Sequence, residues 1–390
     1  MRMSRVASLV AAGLLVALAA SCGPSNAQEG GAVTIMISGD VRGEYAPCGC
    51  KANPSGGLAK RAFYASKLRE KASDLLIVDV GNQFHEHPSY GPAELSQERS
   101  RANLFIDVMN HMKITGAAPG ALEFALGGEE FAKQVERSKY PWLAANLIDQ
   151  KSGKPVGPTT IVVSAGGYRV GLFGVVSRDL IYRGIKVNTQ GYEVQDPIEA
   201  AVAAVSELKG KADFVVALAH LNKDETRKFA DKVKGVAFVL AGNHSGIFSQ
   251  DVQDMAGVPV LQVPARGREV GVLRIVPKKG EFKFVNRSER DAIVRRIDFF
   301  EGEKKKIEDE AKGKPVEEAF AQSPATLNRY RTFVEKIDEQ KKKLARVEGD
   351  TSYYEFSTVN LGQDMDSDMQ VMGWMTKFAD LYGLTGIGSE

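Results

Sequence analysis

Short apolar runs alternate with polar breaks along this chain, and the runs repeat one design: a strand, a polar loop, then a helix. Val33-Thr-Ile-Met-Ile-Ser38 reads as a buried strand that stops at Gly39-Asp40, and Leu75-Leu-Ile-Val-Asp79-Val80 stops at Gly81-Asn82. Phe214-Val-Val-Ala-Leu-Ala219 stops at His220, and Val236-Ala-Phe-Val-Leu-Ala241 stops at Gly242-Asn243-His244. Near-continuous apolar runs of this length predict strands covered on both faces. Each ends in a polar residue at its carboxyl end, where open α/β sheets hold ligands. Trp142 to Leu147, Val170 to Val176, Val258 to Gln262 and Glu269 to Val276 predict further strands of the same body. Helices are predicted from Gly56-Gly57 to about Ala72, and from about Arg99 to Met112.

Beyond Asp291 the period changes. Ile293, Ile297, Phe300 and Ile307 recur at three- and four-residue steps, and Leu327, Tyr330, Val334, Ile337 and Leu344 do so after a break around Gly313 and Pro315. Two amphipathic helices with charged outer faces predict an antiparallel hairpin closing one apolar seam. Tyr353 to Val359 predicts a returning strand. A last helix spans Asp368 to Tyr382, with Val371, Trp374, Met375, Phe378, Leu381 and Tyr382 on one face. That stripe has the composition of an interface core and predicts a docking face for a partner protein. The competing reading packs it against the chain's own body.

Composition narrows the class. With 43% hydrophobic and 26% charged residues the 390-residue chain is ordinary globular material, enough for one large domain plus appendages. The formal net charge is +2, and Arg2 and Arg5 belong to a removable leader, so nothing points to nucleic acid. That leader has a basic start, an apolar stretch from Val6 to Ala20, and Ala19-Ala20-Ser21-Cys22 at its end. Small residues directly before a cysteine predict a lipobox, with Cys22 carrying the lipid; cleavage near Ala27 is the alternative. Residues 22–32 then form a tether, 33–290 the main domain, 291–348 the hairpin, and 349–390 a strand and helix. Residues 1–21 are the signal peptide. The chain is thus placed in a bacterial cell envelope, lipid-anchored and outside the cytoplasm. Cys48 and Cys50, in Pro47-Cys48-Gly49-Cys50, read as a redox pair, as two thiolate ligands, or as a loop staple.

These segments, in this order, resemble the calcineurin-type metallophosphoesterases and, within them, the 5′-nucleotidase branch. The Pro-Cys-Gly-Cys piece and Gly56-Gly-Leu-Ala-Lys-Arg-Ala62 resemble an extracytoplasmic subset, some members of which continue into multihaem cytochrome domains. The resemblance implies a four-layer αββα sandwich with two central mixed β-sheets, here followed by the helical hairpin. It also implies a two-metal site, and this chain departs from that site motif by motif. Asp-x-His has become Asp40-Val41-Arg42, and the bridging aspartate has become Asn82. Gly-Asn-His-Glu-Phe has become Gly120-Ala121-Leu122-Glu123-Phe124, and Gly-His-x-His keeps His244 but ends in Gly246. His220 stands at the position of a ligand histidine. The second domain by which larger members hold the base has no counterpart in the length that remains.

Two dications held together need several anionic or imidazole ligands and a bridging anion. Asp40, Arg42, Asn82, His220 and His244 predict a pocket that has lost most of that set. Arg42 offers a fork of donors where a cation sat, which suits an anion pocket; a structural Arg42–Asp40 ion pair is the alternative. One zinc or manganese at His220 and His244, helped by His85 and His87, is the remaining metal reading; otherwise there is no cofactor. His111 reads as a surface or helix-terminal residue. The expected function is a binding or accessory module for an anion or phosphate-containing small molecule, partnered by a multihaem cytochrome. Its rivals are a single-metal phosphoester hydrolase and a redox-active dithiol protein.

Overall fold

The computed structural model describes residues 31–47, 54–242, 252–278, 280–349 and 351–384. Cys22, Cys48, Cys50, His244 and Gly246 therefore lie outside the described residues.

The first strand, β1 (Val33–Ser38), is followed by helix α1 (Leu58–Lys71), strand β2 (Leu76–Asp79), helix α2 (Leu95–His111) and the short strand β3 (Gly116–Ala117). β1 and β2 are parallel, with Ser38 opposite Asp79, and β2 continues parallel to β3. On its other edge β1 is antiparallel to Glu269–Val276, which is antiparallel in turn to Tyr353–Asn360, itself edged by Val285–Asn286. A second six-stranded mixed sheet has the order Gln253–Met255, Val258–Gln262, Phe238–Ala241, Phe214–His220, Tyr168–Val176, Thr160–Ala165.

Side-chain alternation along the strands builds the layers. Ile35 and Ile37 point between the sheets and meet Val78, Leu172, Val216, Leu218 and Phe238, while Met36 points outward under α1 and α2. The outer face of the second sheet buries Phe173, Val215 and Val239 beneath helices Pro197–Leu208 and Lys223–Lys232. The result is helix, sheet, sheet, helix, the sandwich expected from the sequence. The first of those outer helices is capped by Asp196, whose carboxylate accepts from the Ile198 and Glu199 amides, with Pro197 opening the turn. Asn222 and Glu225 form a reciprocal capping box on the second.

Three expectations change. The second helix begins at Leu95 rather than near Arg99, because the apolar spacing there is weak and the loop ends early. Leu147 does not enter a central sheet: Leu147–Asp149 joins a separate three-stranded sheet with Tyr192–Val194 and Lys154–Pro155. The helix Met369–Tyr382 is not an open docking face. Val371, Met375 and Phe378 are buried against the body, Trp374 is half-buried beside His111, and the Phe378 ring meets Tyr45 edge-on at 5.0 Å. Tyr382 donates to the Ser96 carbonyl at 2.9 Å, and the His111 ring pairs with the capping Asp368 at 2.9 Å. His111 thus closes the end of α2 against this helix.

Arg290–Glu310 and Pro324–Val347 run against each other as a hairpin. Ile293, Ile297 and Val347 fill one end of its seam, and Ile307, Ala311 and Val316 the other. Among the described residues no helix is long and apolar enough to cross a membrane.

Candidate functional site

Three loops at the carboxyl ends of the strands build the site. The turns after β1 and β2 are laced together by backbone bonds: Asp40 N–H to the Gly81 carbonyl at 2.7 Å, Arg42 N–H to Asn82 at 2.8 Å, and Gly43 N–H to Gln83 at 2.8 Å. Asp40, Arg42 and Asn82 all have left-handed backbones, with φ of 53°, 58° and 57°. Non-glycine residues rarely hold that conformation, and clusters of it mark functional turns. The third loop is tied in by Glu123, which is fully buried. Its carboxylate accepts the N–H groups of Asn82 at 2.8 Å, Gln83 at 2.6 Å and Gly120 at 2.6 Å. Burial pushes its pKa up while these three bonds oppose the shift.

Within that frame the side chains converge. The Arg42 guanidinium donates to one Asp40 oxygen, and the Asn82 amide donates to the other at 2.9 Å. Asn82 Oδ1 accepts the Leu122 N–H at 2.9 Å. His220 sits against the same spot. A Cβ at Gly120 would lie 2.5 Å from Asn82 Oδ1 and 2.7 Å from His220 Cε1, and one at Gly242 would lie 2.3 Å from His220 Nδ1. Only glycine fits in either place. His220 Nδ1 donates to the Val80 carbonyl at 2.7 Å, which leaves the lone pair on Nε2. Burial drives its pKa down to about 4, so the ring is neutral at physiological pH.

Arg42 also lies over the Tyr182 ring, 5.6 Å from its centroid, with Arg183 at 5.3 Å. Among the described residues, the Tyr182 hydroxyl and Arg42 Nε are buried donors with no hydrogen-bond partner. Arg266, also left-handed at φ 70°, reaches in from the Ala265–Gly267 turn, where its N–H donates to the Asp40 carbonyl at 2.9 Å and its guanidinium pairs with Glu44 and Glu86.

Among the described residues, this donor set does not fit a pair of divalent cations. Both Asp40 oxygens are engaged by a guanidinium and an amide, the Asn82 oxygen is engaged by a backbone amide, and a cation already occupies the rim. Among the described residues no group of three or more His, Cys, Asp or Glu could hold a metal ion.

Asp40, Arg42, Asn82 and His220 are thus brought together. His85 is fully buried, with Nδ1 on the Glu98 carboxylate at 3.0 Å, and Arg101 holds the same carboxylate at 3.1 Å. His87 is exposed, and both rings lie tilted on Tyr90, His85 at 5.6 Å and His87 at 5.8 Å. His85 Nδ1 is engaged by Glu98, whereas His87 is open to solvent. Tyr182, Glu98 and the anchoring role of Glu123 escape sequence reasoning. Glu123 carried a signal, as the one acidic residue retained in Gly120 to Phe124. Arg61 is another: it is buried, donates to Gln83 at 3.0 Å, and sits beside Asp79, whose own burial lifts its pKa to about 8.

No family model matches the chain. It is 27% identical over 225 residues to an uncharacterised metallophosphoesterase of Bacillus subtilis, an overlap covering 55% of this chain and 45% of that protein. It is 26% identical over 266 residues to a 5′-nucleotidase of Diplobatis ommata, covering 60% of this chain and 43% of that protein. The chain thus spans less than half the length of these curated relatives. Among solved structures, the 5′-nucleotidase precursor of Thermus thermophilus superposes with a TM-score of 0.62 at 19% identity, over 90% of this chain and 59% of that one. The NAD nucleotidase of Haemophilus influenzae does so with a TM-score of 0.52 at 18% identity, over 64% and 48%. The homologues and structural neighbours of this chain are metallophosphoesterases and 5′-nucleotidases, and their fold is its fold.

Proposed function

We propose that this protein uses a metallophosphoesterase scaffold as an anion-binding accessory module of the bacterial cell envelope, anchored through Cys22, rather than as a two-metal hydrolase. One observation carries the reading: Asp40 is held by the Arg42 guanidinium and the Asn82 amide, so the pocket brings its own cation. Arg42 Nε and the Tyr182 hydroxyl are two buried donors without a partner among the described residues, and Arg183 and Arg266 add positive charge around Tyr182. A carboxylate, sulfate or phosphate group presents the acceptors such donors need. The physiological ligand is then a small oxyanion or a phosphate-bearing molecule, and the partner a cytochrome-type redox protein, as the resemblance of the Pro47–Cys50 segment implies.

A single-metal phosphoester hydrolase is the second reading, and one observation favours it. His220 donates from Nδ1 to a backbone carbonyl, which fixes the tautomer with its lone pair on Nε2, as in metal-ligating histidines. Several relatives are named as nucleotidases, among them the trifunctional nucleotide phosphoesterase of Bacillus subtilis, 24% identical over 302 residues. Calorimetric titration with inorganic phosphate and sulfate, on the wild type and Arg42→Ala, separates the two. The anion reading predicts binding that Arg42→Ala abolishes, with no turnover of an aryl phosphate or AMP under manganese, zinc or calcium. Turnover lost in His220→Ala and kept in Arg42→Ala would establish the hydrolase instead.

A further inference from the structure

At the opposite end of the strands from the Asp40 site lies a groove of about 620 Å³. Its floor is apolar, formed by Val205, Leu208, Phe214 and Val215, and Val202 stands at its edge with 49% of its surface exposed. Lys209, Lys232 and Lys234 rim it, all exposed. The acidic side chain in its lining, Asp213, is spent on Arg169 at 2.7 Å, so the rim is net positive. Just outside, Lys211 faces Glu207 at 3.8 Å. The strand Phe214–His220 connects the two ends: it starts in the groove and finishes in the site, about 20 Å away at ~3.3 Å per residue.

The chain also enters the fold at this end. Gly31 and Ala32 run against Gly166, in the turn before Tyr168–Val176, and Arg169 in that strand donates to the Gly210 carbonyl at 3.3 Å. A chain attached through Cys22 reaches Gly31 over at most roughly 30 Å of extended backbone. An anchored molecule therefore hangs by the end that carries the lysine rim.

We propose that this end is a membrane-docking face, seated on a bilayer surface rich in anionic headgroups, with the lysine rim on the headgroups and Val202 against the headgroup–acyl boundary. The tether part of the argument rests on the lipid-anchor reading; the charge and apolar complementarity do not. Lysines near an anionic surface each favour its approach by about 1 kcal/mol, so on a chain already held by its lipid they set which face lies against the bilayer. Docking in this pose turns the Asp40–Arg42 pocket away from the bilayer, toward soluble ligands and partners.

The test is lysine acetylation of the full-chain protein reconstituted in vesicles, read by mass spectrometry. Vesicles of phosphatidylcholine alone are compared with vesicles containing phosphatidylglycerol, and Lys305 and Lys342 on the outer hairpin serve as internal references (72% and 76% exposed). Labelling of Lys209, Lys232 and Lys234 is expected to slow at least five-fold relative to those references on anionic vesicles, and to recover in high salt. In the unlipidated full chain (Cys22→Ser), replacing all three with glutamine is expected to weaken association with anionic vesicles by roughly 100-fold, at about five-fold per lysine. Equal labelling on both vesicle types, or selective slowing at the hairpin, would overturn the docking face. Slowing reproduced by inorganic phosphate without vesicles would overturn it too, identifying a free-anion site. The same digest reports whether Cys22 carries a diacylglyceryl group, so a failed anchor is told apart from a failed docking face.

Discussion

Replacing Arg42 with alanine removes the guanidinium from a carboxylate that is 1% exposed. Asp40 then keeps the Asn82 amide at 2.9 Å on one oxygen and loses its charged donor on the other. Breaking one side of a buried ion pair costs about 3–5 kcal/mol, most of it the penalty on the charge left behind. Arg42 is itself 15% exposed, so water can enter where the side chain was, which moves the expected loss down to about 2–3 kcal/mol. The assay is urea unfolding at pH 7.5, with Asp40→Asn and the double variant completing a cycle. The double variant removes both charges and is expected to recover at least half the loss, because an amide at residue 40 still pairs with Asn82. Arg42→Lys keeps the charge without the fork and falls between. A cost below about 0.5 kcal/mol for Arg42→Ala, or full additivity in the cycle, would refute an organic ion pair at the heart of the pocket.

His220 ties folding to pH: its pKa is held near 4, below the ordinary histidine value of about 6.5. Its contribution is therefore complete above pH 6.5 and is lost as pH falls toward 4, by about 3 kcal/mol, and His220→Asn should flatten that slope in unfolding curves at pH 7 and 4.5. Gly120→Ala forces a methyl against Asn82 and His220 and should cost at least about 2 kcal/mol by the same assay. Phe378→Ala, in the buried face of the last helix, should cost about 3 kcal/mol, whereas Leu381→Ser, 69% exposed, should stay within about 0.5 kcal/mol.

Much of the architecture is legible because it is written in local period. Apolar runs that stop at Gly39-Asp40, Gly81-Asn82 and His220 give both the strands and the edge where the site assembles. The hairpin likewise follows from the spacing of Ile293, Ile297, Leu344 and their neighbours. What is not legible depends on contacts between distant segments. Glu123 looks like any helix-turn glutamate until three amides from two loops are found on it, and Glu98 looks solvated until His85 and Arg101 are placed beside it. An amphipathic stripe fixes which face of Met369–Tyr382 is buried but not against what, so a docking face and a home-packed face have one sequence signature. The small sheet around Leu147–Asp149 fails for a related reason: two- and three-residue strands carry no period to read.

The central claim is that Arg42 and Asn82 have displaced the two-cation centre, and metal stoichiometry tests it most directly. The full chain is stripped with a chelator, reloaded with excess zinc or manganese, desalted, and counted by elemental analysis. The account predicts no bound pair of cations, and no change when His85 and His87 are replaced. Two tightly held equivalents per chain, lost together in Asp40→Ala, would contradict it.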